Sequence, residues 1–177
     1  DGYEFNMEVI KDYLIRKERL EINRLETLDD KWKFLVTKRG ELEIRLRDVV
    51  KRVLLTEQLT NSKFEAKEYV MKKIHNSSAE RRKYSSTTYK DLFDADKTNI
   101  YFSNLLTLIS GQWEIFAVYT DLSKEDFSFH MNKINSIGRS DAHAKSVSRA
   151  ELSQLDLSFA QLERMIEVYN SKPSECF

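Results

Sequence analysis

The chain predicts an all-α fold, a helical bundle with a short helical extension in front of it. Three observations predict it. Apolar residues recur every three or four positions along most of the 177 residues, which is the spacing of one buried helix face. Only 4 Gly and 1 Pro are present, too few for the many turns of a sandwich or barrel. Capping patterns precede several of the apolar stretches.

Taken in order, Tyr3 to about Glu26 carries Val9, Ile10, Tyr13, Leu14, Leu20 and Leu25 among charged residues, an amphipathic helix. Thr27, followed by Asp29 and Asp30, caps a second helix with Trp32, Leu35 and Val36, and Gly40 is expected to break or kink it. Glu41 to Gln58 forms the next helix on Leu42, Leu46, Val49, Val50 and Val53. Asn61 or Ser62 caps another, which runs to about Ile74. Residues 75–90 are rich in Ser and Thr, lack an apolar period and hold Arg81, Arg82 and Lys83, so an exposed, mobile basic loop is expected. Asp96 or Thr98 starts a helix with Ile100, Leu105, Leu108 and Ile109, and Trp113–Tyr119 reads as buried helix. Ser123 with Glu125 and Asp126 opens a helix carrying Phe127, Met131, Ile134 and Ile137. Ser148-Arg-Ala-Glu151 is a capping box in front of the last helix, on Leu152, Leu155, Phe159, Leu162, Met165 and Ile166. The expected organisation is an extension over 1–40, a bundle over 41–172 and a tail over 173–177. Trp32 and Trp113 are expected as core anchors, and His75 and His130 as structural residues.

A hydrophobic fraction of 41% and a charged fraction of 33% suit one soluble domain with a sizeable core. No apolar run reaches the ~18–20 residues of a bilayer span, and no signal peptide is visible. A single cysteine, Cys176, excludes a disulfide within the chain and a cysteine-based zinc site. A reducing, cytoplasmic location is the expectation. The start at Asp1 suggests a piece of a larger protein with further domains. Basic and acidic residues balance at 29 each, but residues 60–90 hold 8 basic against 3 acidic groups, and 91–177 hold 8 against 13. A basic segment in a neutral chain fits transient contact with a polyanion. No phosphate-cradling glycine loop, zinc-protease helix or nucleophile elbow occurs, so no cofactor or metal is expected.

One constellation carries chemistry. Arg139, Ser140, Asp141 and His143 lie in the segment INSIGRSDAHAKSV. On a helix, Arg139 and His143 at i and i+4 share a face, about one turn apart. A guanidinium can hold a phosphate and stabilise developing negative charge, while an imidazole titrating near neutrality can move the proton of an RNA 2′-hydroxyl. No metal is required when the 2′-hydroxyl is the nucleophile.

The segments LISGQWEIFAVY, FSFHMNKINSIGRSDAHAKSV and ELSQLDLSFAQLERMI, in that order, resemble the HEPN family of helical ribonuclease and nucleotide-binding domains. The earlier helix ELEIRLRDVVKRVL, with Glu43, Leu46 and Arg47 as marks, resembles the first core helix of some members. The resemblance covers about residues 41–170. It implies a four- or five-helix bundle that forms a homodimer, with paired motif helices making a composite, metal-independent RNA-cleaving site. It also implies a place in phage-defence or toxin–antitoxin systems. Active members carry Arg and His with four to six residues between them; here only three residues intervene, and Ser140 takes the usual polar slot. The resemblance makes Arg139 and His143 catalytic, Ser140 a polar helper and Asp141 an orienting group. Glu43 is a supporting residue, and Arg47, Arg81, Arg82 and Lys83 are RNA-contacting. The other expectation is a non-catalytic dimerisation, sensor or RNA- or nucleotide-binding module.

Overall fold

Thr27 begins the longest helix, α1 (Leu28–Thr60), by accepting the Asp30 amide on its hydroxyl at 3.1 Å. Asp29 and Asp30 sit in the first turn, where the helix dipole favours negative charge. At ~1.5 Å per residue the 33 residues of α1 extend about 50 Å. Its buried stripe, Trp32, Leu35, Leu42, Leu46, Val49, Val50, Val53 and Leu54, is continuous from end to end. The break expected at Gly40 is therefore absent. Packing on both sides outweighs the ~1 kcal/mol that an interior glycine costs a helix.

The computed structural model describes residues 27–75, 77–98, 100–138 and 148–171. Tyr3–Glu26 and Cys176 lie outside them. Among the described residues all regular structure is helical, with no strand, and no helix is long and apolar enough to cross a membrane.

Asn61 ends α1 rather than opening the next helix. Its backbone amide bonds the Glu57 carbonyl at 2.8 Å, and its side-chain amide bonds the Glu57 carboxylate at 2.9 Å. The following helix, α2 (Ala66–Ile74), has no capping side chain of its own; Gln58 of α1 reaches over and accepts the Ala66 amide at 2.9 Å. The Tyr69 hydroxyl of α2 then donates to the Leu108 carbonyl at 2.7 Å. Burial pushes that phenol up to about 12.

The stretch 75–90, expected as an exposed, mobile loop, contains one short helix, α3 (Ser78–Lys83), and the start of another, α4 (Tyr89–Leu92). Ser77 and Glu80 make a reciprocal capping box at the start of α3. Thr88 accepts the Asp91 amide at 3.1 Å at the start of α4. Tyr84 and Tyr89 pack against the core, and the Tyr89 hydroxyl donates to the Lys51 carbonyl at 2.8 Å, which ties α4 to α1. Thr98 closes this turn by donating to the carbonyls of Leu92 and Asp94 instead of starting a helix. The next helix, α5 (Phe102–Gly111), begins where Asn104 accepts the Tyr101 amide at 2.8 Å.

The apolar run after Gln112 is helical only over α6 (Trp113–Ala117), and Phe116 is its one buried residue. Trp113 is half-buried against Phe127, with ring centroids 5.3 Å apart, while Val118 faces solvent. In α7 (Lys124–Asn135), Ser123 caps as expected, accepting the Asp126 amide at 3.0 Å. A short 3-10 turn, Ser136–Gly138, follows with Ile137 buried. The Ser148–Glu151 box is also formed at the start of α8 (Arg149–Ser171), whose predicted apolar face is buried.

Helices α7 and α8 pack directly on each other. Helix α5 covers α7, α2 covers α5, and α1 runs across α5 and α8. The largest fully buried side chains include Phe102, Phe116, Phe127 and Phe159, one from each of α5, α6, α7 and α8. Each such burial contributes about 1.5–3 kcal/mol.

Candidate functional site

Arg139, Ser140, Asp141 and His143 lie outside the described residues. Their described neighbours are the 3-10 turn that ends at Gly138 and the cap at Ser148. Both flanks belong to the core, through buried Ile137 on one side and Leu152 on the other. The 3-10 turn packs against both α7 and α1.

Glu43 and Arg47 stand one turn apart on α1, and helical spacing brings them together. Arg47 donates to the Glu43 carboxylate at 2.6 Å and also to the Ile100 carbonyl. Arg39, one turn earlier, approaches the other Glu43 oxygen at 3.4 Å and lays its guanidinium over the Phe102 ring, 5.1 Å from the centroid. The Glu43 and Arg47 side chains are 15% and 14% exposed, so their charges interact through a medium less polar than water. One carboxylate thus serves two guanidiniums. Arg39 Nε and Arg47 Nη1 are buried with no hydrogen-bond partner among the described residues. The cluster fixes the entry to α5 against α1 and leaves an excess of positive charge there.

The cluster borders an open groove of about 640 Å³ between the middle of α1 and the segment that runs from α4 to Lys97. Glu43, Ile44, Arg47 and Lys51 line one wall; Lys90 and Lys97 line the other. The ammonium of Lys97 is held by Asp91 at 2.7 Å and Asp94 at 3.7 Å. That pairing keeps the Asp91 carboxyl below, and the Lys97 ammonium above, their ordinary ranges. Sequence reasoning found Glu43 and Arg47 but missed Lys51, Lys90 and Lys97. A signal for Lys51 was present: Arg39, Glu43, Arg47 and Lys51 recur every four residues, a single charged stripe on α1. Lys90 reaches the groove only because Tyr89 anchors α4 to the Lys51 carbonyl, a contact no local pattern announces.

The basic residues Arg81, Arg82 and Lys83 form the last turn of α3. Arg82 and Lys83 are exposed, while Arg81 is half-buried and donates to the His75 carbonyl at 3.5 Å. The Lys83 ammonium lies 5.4 Å from the Tyr84 ring centroid. His75 stacks on the same ring: the imidazole and Tyr84 centroids are 4.5 Å apart and the rings nearly parallel. Burial holds His75 below the ordinary histidine range.

His130 is structural, as the sequence suggests. It is buried between α7 and α8, with Nδ1 3.0 Å from the Ser158 hydroxyl. The Ser158 hydroxyl also lies 2.9 Å from the Gln154 carbonyl, so it bridges the imidazole to the backbone of α8. Burial lowers the imidazole pKa, partly offset by Asp126. Ser158 has no exposed surface, so this pair meets no substrate. Among the described residues no group of three His, Cys, Asp or Glu side chains is placed to hold a metal ion.

No protein-family model, curated protein or solved structure matches this chain.

Proposed function

We propose that the chain is a HEPN-like, metal-independent endoribonuclease domain that acts as a homodimer, in a defence or toxin-like setting. The observation that carries this reading is the segment from Arg139 to His143, set in the chain between α7 and the capped start of α8. The all-helical bundle and the Glu43–Arg47 pair on α1 support it. In the proposed reaction the 2′-oxygen of a ribose attacks the adjacent phosphorus and the 5′-oxygen of the next nucleotide leaves. The product ends are a 2′,3′-cyclic phosphate and a 5′-hydroxyl. His143 moves a proton to or from these oxygens, and Arg139 holds the phosphate and stabilises its added negative charge. Ser140 assists as a polar contact and Asp141 orients the Arg or the His. A second copy supplies a facing Arg/His pair, because one pair offers too few groups to enclose a phosphodiester.

The test is a pair of variants, Arg139→Ala and His143→Ala, compared with the wild type for RNA cleavage, far-UV circular dichroism and sedimentation. The expected outcome is loss of cleavage by at least ~100-fold, the scale of a general acid–base contribution, with helicity and dimer mass unchanged. A folded wild type that cleaves none of several RNA classes would transfer the reading to a non-catalytic dimerisation, sensor or nucleotide-binding module.

A further inference from the structure

We infer that the groove between α1 and α4 is a non-cleaving subsite for the phosphodiester backbone of single-stranded RNA, with Lys51 and Lys90 as its phosphate contacts. The inference rests on the proposed RNA-cleaving function and adds to it a place where the strand is held away from the scissile bond.

Four observations carry it. First, the positive charges of the groove differ in what they already hold. Arg47 is engaged by Glu43 and Ile100, and Lys97 by Asp91 and Asp94. Lys51 and Lys90 make no ion pair among the described residues, so their ammonium groups are open to an anion. Second, the two line the same groove from opposite walls, because the hydrogen bond from Tyr89 to the Lys51 carbonyl places the residue next to Lys90 against the backbone of Lys51. Third, the charge behind Lys51 is positive: along the stripe that leads to it, Arg39 and Arg47 are two cations against the one carboxylate of Glu43, all half-buried. Low-polarity surroundings extend the reach of that excess. Fourth, Ile44 stands 70% exposed on the groove rim, one apolar side chain on which a base or ribose can lie. A volume of about 640 Å³ falls within the ~300–1,000 Å³ of sites that take ligands of nucleotide size. The lining carboxylates already face cations: Asp91 and Asp94 are closed on Lys97, Glu43 on Arg47, and Asp48 on Arg52 at 2.8 Å.

The test uses a fluorescein-labelled single-stranded RNA and anisotropy, measured on a His143→Ala background so that the probe stays intact, at several salt concentrations. Lys51→Ala/Lys90→Ala is expected to weaken binding by at least ~10-fold. The slope of log affinity against log salt should fall by about 1.4, since each phosphate contact on a single strand contributes ~0.7. Asp91→Asn, which removes a carboxylate and releases Lys97, is expected to tighten binding several-fold. Lys90 is exposed and Lys51 half-buried, and circular dichroism of each variant verifies the fold. RNA bound by the double variant with unchanged affinity and salt slope overturns the groove assignment and leaves the nuclease reading standing. Loss of binding in the double variant, with no cleavage by the otherwise wild-type protein, supports the groove and overturns the nuclease reading. No RNA binding by the His143→Ala protein overturns the groove assignment.

Discussion

Two polar clusters are built into the bundle at different depths, and they do different things. His130 and Ser158 meet between α7 and α8 as a closed, neutral pair whose hydrogen bonds end on the Gln154 carbonyl. Arg39, Glu43 and Arg47 lie on α1 beside the start of α5, also largely covered, but with one negative charge for two positive ones and an open groove next to them. A buried polar group that completes its partners inside the protein serves packing. One that leaves charge over at the edge of a groove has something to offer a ligand. On the proposed function, that difference, rather than the mere presence of titratable residues, would separate structural from functional polarity in this molecule.

The largest effect should come from breaking the charged cluster. Glu43→Ala leaves two guanidiniums half-buried without their carboxylate, and a loss of about 3 kcal/mol is expected in urea unfolding. A loss below about 1 kcal/mol would mean that water already compensates these charges. Next in size are two glycines with opposite outcomes. A Cβ at Gly111 would collide with the Tyr69 hydroxyl and with Lys73. Gly111→Ala is therefore expected to cost about 2 kcal/mol by displacing the hydroxyl from Leu108, and much less on a Tyr69→Phe background. A Cβ at Gly40 meets nothing within 4 Å. Gly40→Ala is expected to stabilise the protein by about 0.5–1 kcal/mol, the intrinsic preference of a helix interior. Thermal denaturation of the three variants checks both statements.

The smallest effect is a pH slope. Burial lowers the His130 pKa in the folded state, so the unfolded chain binds the proton more readily. Stability from the neutral imidazole is complete above its ordinary pKa of 6.5 and declines as the pH falls through that value towards the folded pKa. His75, also lowered, acts in the same direction. His130→Gln should flatten the fall in stability below pH ~6.5, measured by urea midpoints at successive pH values. A slope identical to wild type would detach His130 from the acid response.

The helices were legible where one local signal decides them. The caps at Thr27, Ser123 and Ser148 and the apolar stripes of α1, α7 and α8 could be read directly, because a capping oxygen and a 3.6-residue period are local facts. Gly40 misleads for the opposite reason: its propensity cost is local, but the packing that overrides it comes from the partners of α1. Asn61 and Thr98 are good capping residues, yet both bond backward, to Glu57 and to Leu92 and Asp94, and close elements instead of opening them. Helix α3 did carry a readable Ser-x-x-Glu box at Ser77–Glu80, masked by the surrounding Ser and Thr. Of the candidate site, the Glu43–Arg47 pair follows from i,i+4 spacing. The groove does not, since it depends on Tyr89 docking α4 on α1. Arg139 and His143 were singled out by their residue types and by resemblance to HEPN domains, on a segment outside the described residues.

The most direct measurement of the central claim is cleavage of single-stranded RNA by the purified wild-type protein in excess EDTA, with the product ends identified and His143→Ala run beside it. The account predicts cleavage in the presence of the chelator, 2′,3′-cyclic phosphate ends, and no product from the variant. Cleavage that EDTA abolishes and added Mg²⁺ restores, or equal cleavage by His143→Ala, would contradict it.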